Sequence, residues 1–448
     1  MMNDNSHGTQ SARIAPRPFP GHVLGRSEGL YKFRGRVQNA PASHATLELN
    51  WKPFMATESI VVREVDDRDQ RIQWDTNSPL HLDLSTRVGD WTIRHGIFRG
   101  GVSEGVEIVR LKNSRMHVDV LPTRGMSIWR IECDGIRFGW HSPVNGPVHP
   151  SHVPVSEPSG LGWLSGFDEL VVRCGLESNG APQHDANGKL EYPLHGHIAN
   201  TPADSLSLEF DEASGRVELI AETIETRLFF KRFRMRSRIR VHADRTEVEL
   251  LDDVTNELAM PRTMQMLYHI NLGSPVLGEN SRLVSTLDEL APKDAHAAEQ
   301  IDRWDEFDGP TTGETERVYF GRPRADETGY THAMLMSPKQ KRGFAVSFKT
   351  STLPAFVLWK NTAAETDGYV TGLEPATGFP NRRGFEEQQG RLVDIGAGET
   401  KSFRIKLRPL MDADSVEATR QKIQSLSDEG EPTEISQEPR SDWTDLNG

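Results

Sequence analysis

An all-β fold, a large twisted antiparallel β-sandwich with few short helices, is what this sequence predicts. Short runs alternate apolar and polar residues at period two, which sends successive side chains to opposite faces of a sheet. Gly, Pro, Asn and Asp punctuate the runs at short spacing, as hairpins require. Helical periods between them are scarce, so the long crossovers that parallel strands need are missing.

The elements follow in order. Residues 1–45 are rich in Pro, Ser, Asn, Gly and Arg without a sustained period, and are expected to be a disordered lead-in. The sandwich is assigned to 46–411. Its strand signals are WTIRHGIF (91–98), GVEIVRL (105–111), MHVDVLP (116–122), MSIWRIE (126–132), RVELIAETIE (216–225), RLFFKRFRMRSRIRV (227–241) and TEVELLDDV (246–254). GFAVSFK (343–349), AFVLWKN (355–361), YVTGLEP (369–375) and SFRIKLRPL (402–410) complete the set. Two long segments break the rhythm. Segment 139–191, dense in Gly, Pro and His, is expected to be a binding or lid element, while 288–327 reads equally as function or padding. Val416, Ile423 and Leu426 recur at near-helical spacing, so 412–428 is assigned a short helix and 429–448 an acidic, disordered tail.

Composition narrows the function. The chain has 448 residues and a formal net charge of −13, which argues against broad nucleic-acid binding. The densest basic run, KRFRMRSRIR (231–240), alternates like a solvated strand face. No apolar stretch is long enough to span a bilayer, and the first residues lack the apolar core of a secretory signal. Cys133 and Cys174 are too few for a disulfide framework and read as reduced thiols. A cytoplasmic protein acting on a small molecule, with no nucleic-acid or membrane partner, is expected.

Five clusters place ionisable groups beside Gly or Pro at strand ends. They are LPTRGMSIW (Arg124), SGFDELVVRCGLESNGAP (Asp168, Arg173, Asn179), YPLHGHIANTP (His195, His197), MLYHINLGSP (His269, Asn271) and GLEPATGFPNRRG (Glu374, Arg382). If YPLHGHIANTP is extended, His195 and His197 project to one face, side by side across Gly196.

From about residue 90 to 410 the chain resembles the aldose 1-epimerase-like, or galactose mutarotase-like, superfamily, and more closely its bacterial branch known only as a domain of unknown function. VLPTRGMSIWRIECDGIRFGW, GFDELVVRCGLESNGAP, LHGHIANTPA, MLYHINLGSPVL and GLEPATGFPNRR carry the resemblance. It implies the galactose mutarotase-like supersandwich, with His269 and Glu374 as the catalytic pair and His195 as a substrate-binding histidine. Tyr268 stands where a mutarotase often has Asn, and the superfamily's Gly-Arg-x-x-Asn-Arg motif has at most a remote counterpart in Arg173 and Asn179.

Interconverting the anomers of a cyclic sugar requires a proton taken from the C1 hydroxyl and one given to the ring oxygen. On this reading Glu374 is the base and His269 the acid, and no cofactor or metal is called for. Arg124 and Arg173 would fork onto sugar oxygens, His195 and His197 would donate to hydroxyls, and Trp163 would offer an apolar platform. Asp168, Asn179, Asn271 and Arg382 complete the expected substrate-binding set. Three rivals remain at this level. His195, His197, His269 and Glu374 could together bind a metal. The fold could bind a carbohydrate without chemistry. The arginines could serve a lyase or hydratase acting on uronic acids.

Overall fold

A computed structural model describes residues 68–428 and 430–446. The expected lead-in (1–45) and the first residues assigned to the sandwich (46–67) lie outside the described residues.

Two sheets form the domain. The larger has 15 strands, its middle running in the order Ser127–Cys133, Val171–Leu176, Arg262–Leu272, Val370–Ala376, Ala355–Asn361, Arg317–Pro323, Leu287–Pro292. The smaller has eight, centred on Lys231–His242, Val248–Asn256, Thr400–Leu410 and Gly343–Lys349. Pairing within both is antiparallel except where Glu434–Ile435 joins Leu287–Pro292 in parallel. Three α-helices occur among the described residues, Ala295–Ala298, Arg383–Gln388 and Ala413–Asp428.

Alternation decides what each face carries. On Arg262–Leu272, Met264, Met266, Tyr268 and Ile270 enter the core between the sheets, together with Val248, Leu250, Ile405 and Leu407 from the smaller sheet. Leu267 and His269 point the other way. That second face carries its own apolar cluster, with Val172, Cys174, Val357, Phe320 and Ala376 on strands and Trp140, Trp163 and Phe167 on the loop segment 139–191. Both cysteines are buried free thiols.

Several expectations are corrected here. The run from 227 is two elements: Leu228, Phe229 and Phe230 form an exposed hairpin tip, and the strand begins at Lys231. Period two alone does not mark a turn inside a continuous apolar run. Segment 288–327 holds most of Leu287–Pro292, all of Arg317–Pro323 and a helical turn, so it is partly sheet. The acidic tail is ordered from 430 to 446. Trp443 is fully buried against Phe379, its ring centroid 4.8 Å away, and Arg382 holds Asp445 with two bonds of 2.6 and 2.8 Å. Composition weighed the acidic residues of the tail and missed the single aromatic that anchors it.

Candidate active site

His269 and Glu374 face one another because their strands are in register. Leu267 lies opposite Ala376 and Ile270 opposite Leu373, which sets His269 opposite Glu374 on the face away from the core. Nε2 of His269 is 3.2 Å from Oε1 of Glu374. Gly372, opposite both Asn271 and Trp359, supplies the room: a Cβ there would lie 2.4 Å from Glu374 Oε1 and 3.0 Å from His269 Cε1.

Aromatic rings wall the pair. Phe167 and Trp359 sit edge-on to His269 at 5.0 and 5.2 Å, and His195 at 5.6 Å. Trp359 is oriented by an indole bond of 2.7 Å to Glu316. The low dielectric of this setting drives the pair away from charge. Burial pushes the Glu374 carboxyl well above the usual carboxylate range, with Glu316 adding to the rise, and pulls the His269 imidazole well below its ordinary value.

Hydrogen bonds fix the ring nitrogens. Asn271 donates its amide to the carbonyls of Glu169 (2.9 Å) and His269 (3.3 Å), so its Oδ1 is the atom 2.6 Å from His269 Nδ1. An amide oxygen only accepts, so Nδ1 carries the proton and Nε2 presents a lone pair to Glu374. His195 follows the same logic. Its Nδ1 donates to the Asn179 carbonyl at 2.8 Å, and burial lowers its pKa to about 4, leaving Nε2 an acceptor. The expected role of His195 as a donor is therefore reversed.

The histidine pair does not stand side by side. YPLHGHIANTP leaves its strand at Tyr192 and turns through two left-handed residues, His195 (φ 57°) and Gly196 (φ 72°). Gly196 has no alternative: a Cβ there would lie 2.3 Å from the carbonyl oxygens of Gly175 and Ser178. The turn sends His195 toward His269 and His197 into a separate cavity of about 740 Å³ with Glu177, Glu225 and Lys231. The four-ligand metal reading thereby loses one of its members. Among the described residues no three His, Cys, Asp or Glu side chains gather closely enough to hold a metal ion.

The arginines are also placed elsewhere. Arg173 alternates inward with Tyr268 and makes a two-pronged pair with Asp252 of the smaller sheet, at 2.6 and 2.9 Å, so it cannot reach the second face. Arg124 is buried against Glu169 (2.9 Å), Asn200 and the Gly166 carbonyl. It braces the segment that carries Phe167 and the carbonyl held by Asn271. Asp168 bonds the Trp129 indole and Arg68 within the protein, and Arg382 clasps the tail. The Asn179 side chain is buried with no hydrogen-bond partner among the described residues, while its carbonyl holds His195. Trp163 is buried edge-on to His195, at 4.6 Å between centroids, and is packing rather than an open platform. Trp359, Phe167 and Glu316 were not singled out from sequence. Trp359 lies two residues beyond Val357, which pairs with Glu374, so the alternation in AFVLWKN held the signal once the partner strand was known.

This fold, with a His and a Glu opposed on the outer face of the larger sheet, defines the galactose mutarotase-like class of proteins. A family model described as a domain of unknown function, DUF4432, matches residues 103–408, and the chain belongs to that family. The solved structure of a candidate aldose 1-epimerase from Klebsiella pneumoniae subsp. pneumoniae is 30% identical, covering 80% of this chain and 95% of that one at a TM-score of 0.77. Fainter likenesses are a galactose mutarotase-like protein from Clostridium acetobutylicum (15% identical, 71% and 98% covered, TM-score 0.49) and a galactose 1-epimerase from Lactobacillus acidophilus (15%, 71% and 98%, 0.47). No curated protein matches the chain. No helix among the described residues is long and apolar enough to cross a membrane.

Proposed function

We propose that this protein is an isomerase that interconverts the anomers or epimers of a small sugar by acid–base catalysis at His269 and Glu374. The observation that carries the reading is the 3.2 Å approach of His269 Nε2 to Glu374 Oε1 on one buried face. A proton acceptor and a proton donor at that spacing match the two atoms of a hemiacetal that exchange protons on ring opening. Trp359 offers an apolar surface beside the pair, and His195 Nε2 an acceptor for a hydroxyl. The fold's relatives support the sugar as substrate class through their names. The uronate-directed lyase or hydratase loses its motive, because Arg124, Arg173 and Arg382 are tied to Glu169, Asp252 and Asp445.

The test is an anomer- and epimer-resolved proton NMR screen against a panel of neutral and acidic sugars, with and without a chelator. Accelerated exchange of one sugar, insensitive to chelation and lost in Glu374→Gln, is the expected outcome. Binding without any exchange across the panel would replace the enzyme with a carbohydrate-binding protein.

A further inference from the structure

We propose that Asn271 is a positioning residue that sets the direction of the first proton transfer, making His269 the base and Glu374 the acid on ring opening. This rests on the acid–base reading of the site and reverses the roles that the family resemblance implies.

The argument begins with an amide that cannot flip. Two carbonyl oxygens, of Glu169 and of His269 itself, accept from Asn271 Nδ2, and a rotated amide would set its oxygen against both. The remaining oxygen therefore faces His269 Nδ1 and holds a proton there. A neutral imidazole has one N–H, so Nε2 is bare toward the carboxyl. The carboxyl in turn lies in an apolar surround of Val357, Leu267 and Phe167, where a neutral acid next to a neutral imidazole is the arrangement that burial favours. The backing is layered: Glu169, whose carbonyl holds Asn271, is itself held by Arg124 at 2.9 Å. Arg124–Glu169–Asn271–His269–Glu374 is one continuous chain of contacts ending at the cleft.

The chemistry closes on that arrangement. His269 Nε2 takes the proton of the C1 hydroxyl as the O1 electrons form the carbonyl. The C1–O5 bond breaks, its electron pair passes to the ring oxygen, and that oxygen takes the Glu374 proton. The products are an open-chain aldehyde, an imidazolium whose Nδ1–H still donates to Asn271, and a carboxylate. Rotation about C1–C2 and the reverse transfers give the other anomer and restore the neutral pair. No proton enters from solvent, so the pair is ready for the next turn as soon as the product leaves.

The experiment is ¹⁵N NMR of the full-length protein labelled at histidine, with the His269 signals assigned by their loss in His269→Gln. The wild type should show a protonated Nδ1 and a bare Nε2 from pH 5 to 8. Asn271→Asp places a carboxylate against Nδ1, so the same ring should become imidazolium near neutrality. The optimum for anomer exchange should then move to higher pH, and kcat should fall about 10- to 100-fold with KM little changed, as for other outer residues that orient a working histidine. A protonated Nε2 or an imidazolium in active wild type overturns the inference and leaves the reaction standing. A protein inert on every sugar overturns the reaction and with it any catalytic part for Asn271. The wild-type spectrum decides even if Asn271→Asp fails to fold.

Discussion

Glu374 and His269 meet across two antiparallel strands, and their register alone sets the 3.2 Å between carboxyl and imidazole. Because neither side chain depends on a loop for its place, the pair is held as rigidly as the sheet itself. Glu374→Gln keeps the volume and one acceptor oxygen but has no proton of carboxylic acidity to give. We expect kcat to fall by about two to four orders of magnitude with binding largely kept. The check is saturation-transfer NMR of anomer exchange; a rate within tenfold of wild type would remove Glu374 from the chemistry.

Arg173 shows how a residue can look functional in sequence and be structural in the fold. Its guanidinium and Asp252 are both fully buried, and Tyr268 also donates to Asp252 at 2.7 Å. Arg173→Ala strands a carboxylate in the core and should cost about 3–5 kcal/mol. Urea denaturation measures that loss. KM of the folded fraction should be unchanged, and a raised KM would return Arg173 to the substrate.

The strands and the fold class were legible because period-two alternation is local: GFAVSFK and AFVLWKN are found where the pattern put them. His269 and Glu374 were legible through the family's motifs, Asn271 through its place two residues on. What the chain hides locally is direction. Arg173 and Cys174 are neighbours on one strand with opposite fates, and no composition says which face is the core. The turn at His195 was hidden for a related reason, since a His–Gly–His triplet reads as extended unless the left-handed conformation is imposed by Gly175 and Ser178 from another segment.

The tail gives a prediction opposite to the one composition suggests. Trp443 is buried with Phe379 beside it and Arg440 and Arg322 over its ring, and Asn381 donates to its carbonyl. Trp443→Ala should destabilise the domain by about 3–5 kcal/mol, as removal of a large buried aromatic does. The urea midpoint is the readout, and a chain ending at residue 429 should lose at least as much. A midpoint unchanged in both variants would mean that the tail does not dock in solution.

His195 makes stability depend on pH. Folded, its pKa is about 4, against about 6.5 in the unfolded chain. Above pH 6.5 both states leave it neutral. Between 6.5 and 4 the unfolded chain takes up a proton that the folded one refuses, so stability falls as pH falls through that window, by up to about 3 kcal/mol. Asn tolerates the left-handed backbone, so His195→Asn should fold and lack this contribution. The stability gap between wild type and variant should therefore shift across pH 6.5 to 4 and stay flat above it. A gap independent of pH would show that His195 is not held neutral.

Gly372 separates activity from stability. The Cβ of Gly372→Ala would fall 2.4 Å from Glu374 Oε1 and 3.0 Å from His269 Cε1, closer than real contacts allow. Of the two, the carboxyl lies at the end of a flexible side chain and is the group that yields, while the imidazole is pinned by Asn271. The backbone has nothing to resist, so the urea midpoint should move by less than about 1 kcal/mol. The acid and base, however, are pushed out of line, and a displacement near 1 Å is enough to cost about 100-fold in rate. Anomer exchange should fall by that order with the fold intact. A variant as active as wild type would mean that the two groups do not work as a pair, and a variant that unfolds would mean that the sheet, rather than the carboxyl, takes up the clash.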